Sequence, residues 1–284
     1  MSNVEFLVAR ARIVRAIRAF FDAKGFVEVE TAVRIPAPAP EEHIDCPPCR
    51  DGGYLRASPE LQMKKLLAAG MDRIYQIGPC FREGERGSRH NPEFTMIEWY
   101  RRNATYLDIR HDLEELLAAL NVGACPQGAR ILSVREAYLR YAGWDPWAGW
   151  DQDRFDFDMA TKIEPAIKAL GGGVFLSDYP PQAASLAKMS EKDEPYAERW
   201  EFYWDGMELA NCFTELCDAA EQRARFVAAK ANRQALGESD YPLDEDFLAS
   251  LPRIESAAGV ALGIDRLVMA LTGATEIASV RAPL

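Results

Sequence analysis

The stretch from Ile74 to Arg101, IYQIGPCFREGERGSRHNPEFTMIEWYR, holds two β-rich runs, Ile74–Phe81 and Phe94–Arg101, joined by the polar, glycine-containing segment Arg82–Pro92. That pattern predicts an antiparallel hairpin with a long charged tip. The eleven tip residues carry three arginines, Arg82, Arg86 and Arg89, and two glutamates, Glu83 and Glu85. On the second strand, alternation puts Phe94, Met96, Glu98 and Tyr100 on one face and Thr95, Ile97 and Trp99 on the other. Glu98 then points to a face with apolar neighbours, where an unpaired carboxylate is costly. A cationic ligand or an arginine partner would remove that cost.

Working outward, Ser58-Pro59-Glu60 reads as the start of a short helix over Leu61–Ala69, with Ser58 as cap and Pro59 in the first helical position. Further upstream, Phe6, Ile13, Val14, Ile17, Phe20 and Phe21 form one face of an amphipathic opening helix that Gly25 ends. Phe26–Thr31 alternates like a strand with one wet face, and Pro36, Pro38 and Pro40 open a loop that runs to about Gly53. Downstream, Leu107–Leu120 reads as an amphipathic helix stopped at Asn121-Val122-Gly123. The Trp-rich middle, from Cys125 to Ala197, is irregular apart from a helix near Ala160–Leu170. Trp200–Phe213 returns to strand character, a charged helix follows over Asp218–Leu236, and the strand Gly259–Gly263 runs directly into a helix over Asp265–Leu271. Strands gathered in hairpins with helices outside predict an antiparallel sheet of the α+β class, in one domain spanning residues 1–284.

Composition narrows the class. The chain has 284 residues and a net charge of −11, from 33 Lys and Arg against 44 Asp and Glu. It has no apolar run long enough to span a membrane and no secretory signal at its start, so the expected compartment is the cytosol. An acidic balance argues against nucleic acid as the leading partner. Six scattered cysteines are expected to be reduced thiols. His43-x2-Cys46-x2-Cys49 offers three zinc ligands, but no second C-x-x-C pair supplies a fourth, so packing or loop cysteines are the expectation.

Two further segments carry chemistry. In Glu208-Leu209-Ala210-Asn211-Cys212-Phe213-Thr214-Glu215, two carboxylates and an amide suit Mg²⁺ held together with a nucleotide's phosphates. Strict alternation puts Glu208 and Glu215 on opposite faces, so this reading needs a break near 211–213. In Gly259-Val260-Ala261-Leu262-Gly263-Ile264-Asp265-Arg266, small residues let a flat ligand approach the backbone, and the helix N-terminus beside Arg266 suits phosphate or a nucleotide.

Together these segments resemble the three ordered motifs of the class II aminoacyl-tRNA synthetases: Phe26–Pro36 motif 1, Phe81–Tyr100 motif 2 and Gly259–Arg266 motif 3. The wording of His90–Met96, of Glu208–Asn211 with Glu215, and of Asp178-Tyr179-Pro180 is similar to the lysyl-tRNA synthetase branch. The chain starts directly in the motif 1 helix, with no OB-fold for the anticodon, so it resembles the free-standing elongation factor P lysine ligase family. The resemblance implies an antiparallel class II catalytic domain that dimerises through its motif 1 helix and strand. It implies ATP and Mg²⁺ as cofactors, lysine or (R)-β-lysine as the amino acid, and elongation factor P as the acceptor. Arg82 and Arg266 would be catalytic. Ser58, Glu60, Asn91, Glu98, Tyr100, Glu215 and Ala261 would bind the amino acid. Arg82, Glu83, Gly84, Glu85, Glu208, Leu209, Gly263 and Arg266 would hold the nucleotide, with Glu208 and Glu215 on the metal. Gly84 stands where motif 2 often has an acid that reads adenine, which leaves Glu83, Glu85 or a backbone carbonyl for that task. Cys212 stands where the family usually has Gly or Ala. Ala261 matches the ligases, whereas the synthetases usually have Gly there. A truncated enzyme that charges tRNA and a non-catalytic paralogue are the alternatives; retention of both motif arginines and both glutamates weighs against the second.

Overall fold

The computed structural model describes residues 3–41, 44–120 and 128–282. The opening helix α1 (Asn3–Ala23) ends at Gly25, whose φ of 75° lets the chain turn back so that the Phe26 N–H reaches the Phe21 carbonyl at 3.0 Å. Short strands β1 (Val27–Glu28), β2 (Arg34–Ile35) and β3 (Tyr54–Leu55) follow, then helix α2 (Glu60–Ala68). The strand expected over Phe26–Thr31 is thus only two residues long. Beyond it the backbone leaves the sheet, and the Thr31 N–H and hydroxyl both donate to Gln76 Oε1. Ser58 accepts the Glu60 N–H at 3.0 Å, but Pro59 occupies the N-cap rather than the first helical position.

The hairpin is β4 (Arg73–Phe81) and β5 (Glu93–Arg102), and α3 (Tyr106–Ala119) covers one side. Its predicted stop at 121–123 lies outside the described residues. The middle region forms β6 (Arg130–Ser133), α4 (Val134–Ala137), α5 (Gln152–Asp158), α6 (Glu164–Leu170) and β7 (Gly173–Tyr179). The helix expected near Ala160–Leu170 belongs to a helical segment that begins at Gln152 and passes through a wider π-type turn at Met159–Ile163, and a further helical turn, α4, precedes it. The chain ends with β8 (Ala197–Trp204), β9 (Met207–Thr214), α7 (Ala219–Leu236), α8 (Glu245–Ser250), β10 (Ala257–Gly263) and α9 (Ile264–Thr272).

Eight of these strands make one sheet in the order β1-β4-β5-β10-β9-β8-β7-β6. The centre is antiparallel as expected, but both edge pairs, β1 with β4 and β6 with β7, are parallel. One face is apolar: Tyr75, Ile97, Trp99, Val260, Leu262, Cys212 and Trp200 pack under α1, α3 and α9. There Phe21 stacks on Tyr75 at 4.9 Å and tilts against Trp99 at 5.1 Å. The period of two then sends the alternate residues of the same strands to the opposite face, and those residues form the site.

Candidate active site

On that face, register lines up one row across five strands: Gln76, Glu98, Ala261, Asn211 and Glu201 are consecutive partners. The next row holds Tyr100, Gly259, Phe213 and Arg199. A Cβ on Gly259 would lie 2.1 Å from the Tyr100 ring, so glycine is what lets Tyr100 lie flat across β10. Ala261 therefore stands between Glu98 on one side and Asn211 on the other.

The Glu98 half is an acidic, buried pocket. Glu98 accepts from Ser58 Oγ at 2.6 Å and from the Tyr100 hydroxyl at 2.7 Å. Burial and the nearby Glu60 carboxylate push its pKa up to about 7. Glu215 is pushed up to about 8, by burial first and by Glu60 and Glu98 as well, against the pull of Lys64. Lys64, one helical turn after Glu60, bonds Glu60 Oε1 at 2.5 Å and contacts the Glu215 carboxylate. Arg56 approaches Glu98 but directs its hydrogen bonds to Thr31, Ala32 and Pro79 carbonyls.

The other half is a cleft of about 360 Å³ whose wall includes Arg82, Glu85, Arg89, His90, Asn91, Glu208, Leu209, Gly263 and Arg266. Arg82 lies 5.2 Å over the Phe94 ring and touches Glu85 at 3.5 Å. Its buried Nε meets no acceptor among the described residues, a cost an anionic ligand would remove. Arg266, in the first turn of α9, donates to the Glu208 carbonyl at 3.0 Å and lies 2.7 Å from His90 Nε2. That ring nitrogen must then accept, and burial and Arg266 hold the His90 pKa below its usual value, so the ring stays neutral. Asp265 is occupied elsewhere: it binds Arg10 of α1, the Thr95 N–H and Arg281, which locks the start of α9 to the hairpin.

Glu208 reaches this face because β9 carries one extra residue at Leu209, where pairing shifts from Phe202–Ala210 to Tyr203–Glu208. The break that alternation required is real, but it lies earlier than 211–213. Burial and Glu201, which Arg199 holds at 2.7 Å, raise the Glu208 pKa despite Arg266 and Arg82.

The expected residues are therefore divided between two halves. Ser58, Glu60, Glu98, Tyr100 and Glu215 come together in the acidic pocket, and Arg82, Glu85, Asn91, Glu208, Leu209, Gly263 and Arg266 in the cleft. Glu83 and Gly84 sit on the exposed side of the tip, where the Glu83 N–H donates to the Asp45 carbonyl at 2.8 Å. Asn91 donates its amide to the Glu93 carbonyl at 2.5 Å. Glu215 faces Lys64, not the cleft with Glu208. No group of three His, Cys, Asp or Glu side chains suited to a metal is gathered among the described residues. Cys46 packs on Ala57 and Tyr241, burial pushes its thiol up to about 11, and His43 lies outside the described residues. Lys64, Arg199 and Glu201 also line the site. Only Lys64 had a legible signal, its spacing of four from Glu60. A wider hollow of about 650 Å³ at the far end of the sheet includes Arg135, whose charge is already paired with Asp145 and Glu194.

The sequence matches the model of the family described as tRNA synthetases class II (D, K and N) over residues 2–282. The chain belongs to that family. Among its relatives, the elongation factor P–(R)-β-lysine ligase of Proteus mirabilis (strain HI4320) is 38% identical, over 98% of this chain and 94% of that protein. The protein of the same name from Photorhabdus laumondii is also 38% identical, over 97% of this chain and 94% of its own length. That from Mannheimia succiniciproducens is 36% identical over 98% and 94%. The motif resemblance and the α+β sheet thus agree with a class II catalytic domain, and Arg82, Glu98 and Arg266 of this synthetase-like chain lie within the segments that resemble motifs 2 and 3. Among the described residues no helix is long and apolar enough to cross a membrane.

Proposed function

We propose that this protein is an AMP-forming ligase that activates (R)-β-lysine, or less efficiently lysine, with ATP and transfers it to a lysine side chain of elongation factor P. The observation that carries the reading is the row Glu98–Ala261–Asn211, which joins a buried acidic pocket to an arginine-lined cleft. A diamino acid fits that junction, with its ammonium groups on Glu60, Glu98 and Glu215 and its carboxylate toward Arg82. A carboxylate oxygen attacks the α-phosphorus of ATP, the bond to the β-phosphate bridge breaks, and pyrophosphate leaves. The acceptor amine, having lost a proton, then attacks the acyl carbon, the mixed anhydride opens, and AMP leaves. Both steps depend on positioning and charge neutralisation. Arg82 clamps the α-phosphate with its planar fork. Arg266, held by His90 and Glu208, covers the nucleotide, and Glu85 is the acid placed to read it.

Mg²⁺ fits the Glu208 side, where a carboxylate with a raised pKa has Glu201 beside it, and would supply charge neutralisation on the phosphates. Glu215 already has Lys64 as its counter-ion, so its part is with the amino acid. A homodimer through α1 and β1 suits the exposed Val4, Val8 and Val27, and light scattering at micromolar concentration tests it. A protein that modifies a translation factor works in the cytosol. ATP–pyrophosphate exchange with each amino acid, followed by acceptor assays with elongation factor P and tRNA, tests the whole reading. Exchange without either lysine isomer, or transfer to tRNA alone, would overturn it.

A further inference from the structure

Three carboxylates, Glu60, Glu98 and Glu215, surround the acidic pocket, and among the described residues the cation in contact with them is Lys64. Its side chain is 1% exposed, its Nζ joins Glu60 to Glu215, and it stands 5.1 Å over the Phe213 ring. A buried ion pair is often no better for stability than apolar residues of the same volume, so its placement beside the pocket calls for a reason beyond stability. Glu98 is held by two neutral donors, Ser58 and Tyr100, and neither oxygen of Glu215 meets a well-directed hydrogen bond. Among the remaining neighbours, Arg56 lowers the Glu98 pKa through space while its hydrogen bonds go to Thr31, Ala32 and Pro79, Glu41 adds a further acid beside Glu60, and burial raises the pKa of the Cys80, Cys212 and Cys217 thiols.

We infer that Lys64 is a positioning residue of the amino-acid pocket: its buried ammonium holds Glu60 and Glu215 as one pair and presents their carboxylates to a donor with two ammonium groups. The inference rests on the ligase reading above. Physically, a cation at this point lowers the cost of two adjacent carboxylates in a dry pocket, and Lys64 pulls the Glu215 pKa down against burial. Burial depresses the Lys64 ammonium, and Glu215 and Glu60 more than offset that, so it remains charged throughout the working range.

The test is the donor KM and kcat in pyrophosphate exchange, measured for wild type, Lys64→Met and Lys64→Arg, with ATP saturating. Removing the ammonium frees Glu60 and Glu215 from the contact they share, so Lys64→Met should raise the KM for lysine about tenfold or more, with a smaller change in kcat. Lys64→Arg, which keeps the charge, should lie between the two. A loss carried by kcat alone in folded Lys64→Met, or no change in KM, overturns the inference. Should Lys64→Met fail to fold, Lys64→Arg is compared with Lys64→Gln; a larger rise in KM for the glutamine variant supports the inference and equal rises overturn it. If wild type shows no lysine-dependent exchange, the ligase reading fails, and calorimetric binding of lysine to wild type and variant without ATP still decides whether Lys64 shapes the pocket.

Discussion

The acidic pocket and the arginine cleft share a sheet face but are built differently. In the pocket, Glu98, Tyr100 and Gly259 stand on central strands, Glu60 and Lys64 on the first turns of α2, and each side chain has a fixed partner before any ligand arrives. In the cleft, Arg82 and Glu85 belong to a loop, Arg82 has a buried donor without an acceptor, and Arg266 is steadied by a loop histidine. The difference teaches where ligand energy is used. The pocket is preorganised to hold a donor already charged, whereas the cleft keeps capacity for charge that grows during the reaction.

Breaking the cleft should have the largest effect. Arg82→Ala is expected to lower pyrophosphate exchange about 10²–10³-fold, the scale of losing one preorganised charged donor. Lysine in its place should recover little, because a point charge lacks the fork. ATP affinity should fall less than turnover, and near wild-type exchange in a well-folded variant would sink the assignment.

The junction is next. Ala261 sits between Glu98 and Asn211, so Ala261→Gly should shift the ratio of kcat/KM values from β-lysine toward lysine, by roughly 10- to 200-fold. An unchanged ratio removes Ala261 as the selector.

A pH series distinguishes the acidic pocket from the cleft. Glu98 and Glu215 have pKa values raised to about 7 and 8, so the folded protein binds protons that the unfolded chain, with Glu near 4.3, has already lost. Their protonated forms stabilise the ligand-free fold fully below pH 4.3, and that contribution is lost as pH rises through 7 and 8. Donor affinity should move the opposite way and strengthen over that window, since the ammonium groups need carboxylates. Scanning calorimetry from pH 5 to 9, with and without lysine, should show Tm falling in the free protein and a flatter profile in the complex. Glu98→Gln should remove part of the fall. A flat profile in the free wild type would show that the pocket does not titrate there.

The smallest effect sharpens the loop. Glu83 is exposed and Glu85 is on the cleft wall, so Glu83→Ala should change the ATP KM by less than about twofold, as exposed substitutions do. Glu85→Ala should change it several-fold; the reverse order would move the nucleotide contact to Glu83.

Much of this was readable along the chain because the signals are local. The hairpin 74–101, the small-residue strand 259–263 and the helices at 61–69 and 218–236 follow from period, caps and breakers that act within a turn or a strand. So did the costly placement of Glu98, since alternation alone puts it beside Met96 and Tyr100. The parallel edges were not readable, because pairing direction depends on which distant strand arrives alongside. Nor was the bulge at Leu209, whose extra residue has meaning only against β8.

From sequence alone, this protein had its α+β class, its ordered motifs, its principal arginines and carboxylates and its family, because those rest on local pattern and residue identity. Only the tertiary structure decided how the charges are shared. It separated Glu208 from Glu215, gave Glu215 to Lys64, moved Glu83 and Gly84 out of the cleft, and brought Arg199 and Glu201 beside Glu208. The physical reason is that a charge's partner is set by through-space distance and by burial, and both depend on how strands far apart in the chain come into register.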